Sequence, residues 1–249
     1  MDLKAYYERI GIEQPKILDR AALDRIILAH QSSIPFEDLD SCYLKKAISI
    51  DPETLFQKIV VNKRGGYCFE MNGLFKDLLV ATGFDAYCCY CKVRGIERPV
   101  MHRGVFVRLE DGLYYGDVGF GGPMPAGSVK LEEGLRQEVD GETFWFDKYD
   151  DYWWNLKRLN SAGEEESIIL MTTQPQSDID FEAPNYMCCR NPEGRFTTVK
   201  LVNLKTKTGH LSITDDEFVI EENGQKTVKT IESDEEFRKI LKEYFQIEL

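Results

Sequence analysis

Apolar residues in the first third of the chain recur at helical spacing. Leu3, Tyr6, Tyr7 and Ile10 form one stripe, and Leu23, Ile26, Ile27 and His30 form a second, with His30 reading as structural. Asp51-Pro52 reads as a cap followed by proline at the first helical position, leading into Leu55, Phe56, Ile59 and Val60. A further helix starts at Cys68, places Met71, Leu74, Phe75, Leu78 and Leu79 on one face, and should end near Gly83. Beyond Gly83 the pattern becomes strand-like. Strands are expected over 87–93, 103–109, 113–118, 143–147 and 152–156, the last two rich in aromatics that include all three tryptophans, read as core. More follow over 197–204, 210–213, 217–221 and 226–231, with turns at Lys207-Thr208-Gly209 and Glu222-Asn223-Gly224. Ser233 with Glu236 predicts a capping box for a last helix carrying Phe237, Ile240, Leu241 and Tyr244. The polar run 160–166 is the nearest thing to a boundary, and no repeat or low-complexity tract interrupts the chain.

Composition narrows the class. A chain of 249 residues with 43% hydrophobic residues can bury one large core, or two to three small interdependent ones. No window approaches the ~20 apolar residues of a membrane span, and Met1-Asp2-Leu3-Lys4-Ala5 lacks a signal-peptide layout. Seven cysteines are an odd number and poorly spaced for a disulfide framework, which suits a reduced, cytoplasmic setting. Cys88, Cys89 and Cys91 alternate across one strand and match no usual zinc spacing, so no metal is expected. A net charge of −12 argues against nucleic acid and anionic membranes as partners.

The chemistry concentrates in Arg64-Gly65-Gly66-Tyr67-Cys68-Phe69-Glu70. Two glycines there place a thiol where a loop becomes a helix, and are expected to let the backbone turn sharply and keep the sulfur approachable. First-turn amides carry partial positive charge and favour a thiolate, so Cys68, paired with His102, is expected to ionise below the ~8.5 of a free cysteine. The same segment also fits a small buried cysteine behind a glycine turn. Further on, 101–109 and 113–121 read as two strands joined at Glu110-Asp111-Gly112. A two- or four-residue loop centred between Glu110 and Asp111 would pair Asp117 with Gly104, two positions from His102. His102 and Asp117 would then share a sheet face as diagonal neighbours roughly 7–8 Å apart. Thiol, imidazole and carboxylate are each needed for nucleophilic catalysis: a base takes the thiol proton, and an acid orients the base. His210, in a strand far from these blocks, reads as a surface residue.

These blocks resemble the arylamine N-acetyltransferase family over nearly the whole chain. The resemblance is carried by Tyr7-Glu8-Arg9-Ile10-Gly11, Ile34-Pro35-Phe36-Glu37-Asp38-Leu39, the run from Arg64 to Asn72, His102, and Asp117-Val118-Gly119-Phe120-Gly121. A weaker match is Asp180-Phe181-Glu182-Ala183-Pro184-Asn185-Tyr186. It implies Cys68 as acetyl acceptor, His102 as base and Asp117 as its orienting acid, with acetyl-CoA as donor and an arylamine or hydrazine as acceptor. It also implies an α+β fold on a papain- or transglutaminase-like catalytic core. The parts would be an N-terminal helical bundle (1–83), a central antiparallel β-barrel (84–190) and a C-terminal α/β lid (191–249). Phe36, Tyr67 and Phe120 are the motif-borne candidates for apolar walls around the acceptor. For the anionic coenzyme the candidates are Lys63, Arg64, Arg94, Arg98 and Arg103, with Arg98 first. The chain departs from the family in carrying Asp38 where Asn is usual, in a short interval between Cys88 and His102, and in its early end. Residue chemistry alone also fits a transglutaminase-like or papain-like cysteine hydrolase. A monomer or weak homo-oligomer acting on small molecules is expected.

Overall fold

Short acceptor side chains open the first helices. In the computed structural model, which describes every residue except Arg94, Asp2 accepts from Ala5 N at 3.1 Å and Asp19 from Ala22 N at 2.8 Å. They cap α1 (Leu3–Ile10) and α2 (Arg20–Ser33). A two-residue strand, β1 (Phe36–Glu37), and a short helix, α3 (Leu39–Cys42), follow. Asp51 then accepts from Thr54 N at 2.9 Å, and Pro52 starts α4 (Pro52–Phe56), which runs on as a π-helical turn over Gln57–Val61. Helix α5 (Cys68–Thr82) stops where Gly83 takes a φ of 113°, a conformation that suits glycine. The expected apolar stripes meet: Tyr6, Leu23, Ile26, Ile27, Leu74, Phe75 and Leu78 are fully buried in one cluster. Each such side chain contributes roughly 1.5–3 kcal/mol on leaving water. His30 lies among them, bonded to Tyr6 Oη at 2.9 Å, and burial depresses its pKa to about 3.

Eight strands follow: β2 (Asp85–Val93), β3 (His102–Leu109), β4 (Gly112–Gly116), β5 (Val129–Lys130), β6 (Gln137–Val139), β7 (Glu142–Lys148), β8 (Trp154–Leu159) and β9 (Glu165–Met171). They form one antiparallel sheet in the order β5-β4-β3-β2-β9-β8-β7-β6. Its ends come together where Glu133 bridges Phe146, and where the Gln137 side chain bonds the N–H and C=O of Lys130 at 3.0 and 2.9 Å. The result is a nearly closed barrel filled by Phe106, Tyr115, Phe144, Phe146 and Leu156. The polar run 160–166 forms the β8–β9 turn and the start of β9, held by Asn160. Trp145 is buried as expected, whereas Trp153 and Trp154 are half-buried under the ammonium groups of Lys92 and Lys148.

The remainder comprises a 3₁₀ turn (Asp178–Phe181), α6 (Glu182–Arg190), α7 (Arg195–Thr198), β10 (Leu201–Lys205), β11 (Gly209–Thr214), β12 (Glu217–Glu222), β13 (Gln225–Thr230) and α8 (Asp234–Phe245). The expected strand over 197–204 therefore starts late, because 195–198 is a helical turn. Ser233 Oγ accepts from Glu236 N at 3.1 Å and caps α8, whose Phe237, Ile240, Leu241 and Phe245 cover the second sheet. That sheet runs β1-β10-β11-β12-β13, so its edge strand comes from the N-terminal segment. Phe181, Cys188, Cys189 and Leu201 pack into the helical cluster. Chain segments thus cross the expected divisions at 83 and 190. Among the described residues, no helix is long and apolar enough to cross a membrane.

Candidate active site

Close backbone approach, rather than an unusual φ, explains the glycines before Cys68. A Cβ on Gly65 would lie 1.9 Å from Pro35 O, and one on Gly66 would lie 2.9 Å from the Glu70 side chain. Neither glycine has a positive φ. They admit the Pro35–Glu37 segment, whose Glu37 N donates to Gly66 O at 2.9 Å. Buried Glu70 reaches back to cap α5 at Tyr67 N (3.1 Å) and pairs with Lys58 at 2.7 Å; burial raises its pKa to about 7 against the pull of that ammonium. Cys68 is therefore held rigidly at the first position of the helix.

The hairpin β3–β4 supplies the other two groups. Leu109 pairs with Gly112, so the loop is the two residues Glu110-Asp111. The returning strand ends at Gly116 rather than 121, and Asp117 begins a loop, yet the register still carries it opposite Gly104. His102 Nε2 lies 2.6 Å from Asp117 Oδ2. An ionised carboxylate only accepts, so Nε2 carries the hydrogen and Nδ1 is the basic nitrogen. The loop closes on the helix start: a Cβ on Gly119 would lie 2.9 Å from Cys68 Cα. Cys68 Sγ sits 3.8 Å from the carbonyl of Met101, the residue before His102. The structure thus brings Cys68, His102 and Asp117 together, all buried.

Two further residues complete the arrangement without having been expected. Asn72, one turn along α5 from Cys68, donates to Asp117 Oδ1 at 2.8 Å and to Arg103 O at 2.6 Å, and accepts from Val118 N at 2.9 Å. Its signal was a polar side chain four residues from the thiol on a buried helix face. Tyr115 Oη donates to Asp117 Oδ2 at 2.6 Å, and its signal was the two-residue spacing that puts both on one side of a strand. Burial alone would raise the Asp117 pKa, but the His102 charge and the bonds from His102, Tyr115 and Asn72 hold it below the usual carboxylate range. For Cys68 the balance is reversed. Burial, then Cys188 and Asp117, push the lone thiol well up, and the backbone bonds from Arg103 and Phe69 only partly offset this. Exclusion of water thus opposes the pull of the helix start on the thiol. An ion pair with a neighbouring imidazolium would offset that cost.

A cavity of about 640 Å³ between the barrel and the second sheet meets this cluster at Asp117. Phe36 and Phe120 line it, and Phe120 stacks edge-on against His102 at 5.4 Å. Tyr67 does not: it is fully buried, bonded through its hydroxyl to Asn185 and packed on Phe69 and Phe196 at 5.6 and 5.4 Å. As the helix N-cap, its side chain turns toward α6 instead of following Cys68. His210 is an exposed strand residue, as expected, and lines the same cavity because β11 forms its opposite wall. Of the basic candidates, Arg64 is paired with Glu37 and Asp40 at 2.7 and 3.1 Å. Arg103 is buried on the far face of β3, where it bonds Cys88 Sγ at 3.0 Å, pairs with Asp178 and lies over the Phe181 ring. Lys63 and Arg98 are exposed, Arg98 in the turn before His102; Arg94 lies outside the described residues. Among the described residues, no cluster of His, Cys, Asp and Glu could hold a metal ion.

A family model described as N-acetyltransferase matches residues 19–249. The arylamine N-acetyltransferase of Mycolicibacterium smegmatis is 30% identical over 232 residues, covering 90% of this chain and 84% of its own. This chain belongs to the arylamine N-acetyltransferase family. The solved arylamine N-acetyltransferase of Salmonella typhimurium superposes with a TM-score of 0.92 at 26% identity, over 98% of this chain and 90% of that one. The Mycobacterium marinum enzyme in complex with CoA shares the fold, with a TM-score of 0.91 at 23% identity over 99% and 93% of the two chains. The protein is an acetyltransferase with the α+β architecture of these enzymes.

Proposed function

We propose that this arylamine N-acetyltransferase works through an acetyl-cysteine on Cys68, with acetyl-CoA as donor and the nitrogen of an arylamine or hydrazine as acceptor. The observation that carries the reading is the 2.6 Å contact between His102 Nε2 and Asp117 Oδ2 beside a helix-start cysteine. In the first half-reaction the thiol proton passes to His102, Cys68 Sγ forms a bond to the acetyl carbonyl carbon, and the carbon–sulfur bond to CoA breaks. The departing CoA thiolate takes the proton from His102. In the second, the amine nitrogen attacks the acetyl-cysteine, His102 accepts its proton, and that proton returns to Cys68 as the thioester bond breaks. The Cys68 backbone amide, in a first turn that leaves such groups free, is placed to donate to the developing oxyanion.

Phe36 and Phe120 supply the aromatic walls for the acceptor, and Arg98 is proposed to meet the anionic end of CoA. The CoA complex of the Mycobacterium marinum relative supports this choice of donor. The seven free cysteines suit a reducing cytoplasm, where the enzyme would act on small molecules as a monomer or weak homo-oligomer. Because the acetyl group rests on the enzyme between substrates, initial rates at several acceptor concentrations should give parallel reciprocal plots. Acetyl-CoA with p-anisidine or a hydrazine should release CoA thiol rapidly while peptide amides stay intact. Intersecting lines would mean direct transfer in a ternary complex and overturn the reading.

A further inference from the structure

Tyr115 is buried in the barrel, with its backbone paired to Phe106 and its ring edge-on to Phe106 and Phe146 at 5.4 and 6.3 Å. Its path to Asp117 crosses Gly104, where a Cβ would lie 2.7 Å from Tyr115 Cε2 and 2.9 Å from its hydroxyl. Only glycine at 104 leaves that path open. The hydroxyl then meets Asp117 Oδ2 at 2.6 Å, the oxygen that His102 Nε2 also meets at 2.6 Å. The other oxygen is taken by Asn72 Nδ2 at 2.8 Å and Gly119 N at 2.9 Å. Four donors fill the roughly four acceptor positions of a carboxylate.

We propose that Tyr115 is a positioning residue for acetyl transfer, whose phenol shares the oxygen of Asp117 that holds His102 and so keeps the imidazole free to act as a base. The inference rests on the Cys68–His102–Asp117 reading above. A hydrogen bond to a carboxylate is strongest when the charge is unshared. It therefore stabilises Asp117 more beside neutral His102 than beside imidazolium, and the phenol disfavours protonation of His102. The other ionisable groups facing His102 leave this effect intact. Cys68 comes from α5 with Cys188 of α6 behind it, and the latter raises the Cys68 pKa. Cys91 of β2 sits opposite His102 in register, its sulfur 4.0 Å from the Tyr115 hydroxyl and 3.8 Å from that of Cys89. Arg103 directs its guanidinium to Cys88 and Asp178 on the other face of β3.

The test compares the wild-type enzyme with Tyr115→Phe, which removes one oxygen and keeps the ring packing. Each is loaded with acetyl from acetyl-CoA and mixed with an aromatic amine that does not titrate in the range. Single-turnover transfer is followed from about pH 5 to about pH 9. The acid limb should move upward by about half to one pH unit in Tyr115→Phe. A fluorotyrosine incorporated at position 115 alone, a stronger donor, should move it downward. An unmoved limb with only a lower melting temperature overturns the inference. If Tyr115→Phe fails to fold, the fluorotyrosine protein decides: a downward shift supports the inference and an unmoved limb overturns it. A wild-type enzyme that accepts no acetyl group overturns the Cys68 reading and this one with it, whereas normal acetylation with an unmoved limb overturns this one alone.

Discussion

Asp117 is a buried carboxylate with every acceptor position occupied, so its two functions, holding His102 and holding the loop, can be separated by substitution. Asp117→Asn keeps the shape but turns an N–H₂ toward donors and no longer stabilises an imidazolium. The analogous change in a serine-protease triad costs about 10⁴ in rate, and a loss of that order in kcat/KM is expected here. The clash of donors should cost about 1–3 kcal/mol of stability, measured by urea unfolding. Near-normal turnover in a folded variant would make Asp117 purely structural. Gly119→Ala tests the same contact from the other side. Its Cβ would sit 2.9 Å from Cys68 Cα, forcing the loop away from the helix and His102 out of register with Asp117. A displacement near 1 Å can cost about 10²-fold in rate, so kcat should fall by that order while the circular dichroism spectrum stays unchanged. That Cys68, His102 and Asp117, the three residues proposed to react, lie near one another was legible in the sequence, because their chemistry is rare in that order and a two-residue hairpin fixes the register. Tyr115 and Asn72 were not, because a tyrosine on an inner strand face and an asparagine within a helix read as packing until their partners are seen. The raised thiol pKa of Cys68 was equally hidden, since burial comes from segments distant in sequence.

The elements that could be read were those with local punctuation. Asp2, Asp19, Asp51-Pro52, Gly83 and Ser233 bound their helices as expected, because caps act within one turn of the chain. Strand β9 was missed because 168–171 is a continuous apolar run without alternation, and β1, β5 and β6 are too short to show a period. Asp38 illustrates a junction between elements that sequence could not reveal. Its Oδ1 accepts from Leu201 N at 2.9 Å and from Cys42 Sγ at 3.1 Å, tying β10 to the N-terminal segment. Its Oδ2 is buried with no partner, and burial raises its pKa from 3.8 to about 7. The folded state therefore holds this proton more tightly than the unfolded chain. The stabilisation is complete below the unfolded pKa and is lost as pH rises through the folded one. Asp38→Asn, the residue usual in the resembled pattern, cannot ionise. Its unfolding free energy relative to wild type, measured in urea, should therefore rise steadily between about pH 4 and pH 7 and level off above, the full span being at most about 4 kcal/mol. A difference that is flat with pH would show that Asp38 is ionised throughout.

For the whole molecule, the net charge of −12 works against an anionic donor, so its capture has to come from a few local cations. Arg64 and Arg103 are occupied by internal partners, whereas Lys63 and Arg98 are exposed; Arg98, in the turn before His102, is the proposed contact. Arg98→Ala should raise KM for acetyl-CoA by roughly three- to tenfold with kcat unchanged, the pattern of a binding contact, and the difference should shrink at high salt. An unchanged KM would remove Arg98 from the site. The central proposal is that Cys68 carries the acetyl group between substrates. Intact-protein mass spectrometry after mixing with acetyl-CoA and no amine tests it directly. The account predicts a mass increase of one acetyl group, located on Cys68, discharged on adding an arylamine and absent in Cys68→Ala. An enzyme that turns over normally yet never gains that mass, or gains it equally in Cys68→Ala, would contradict it.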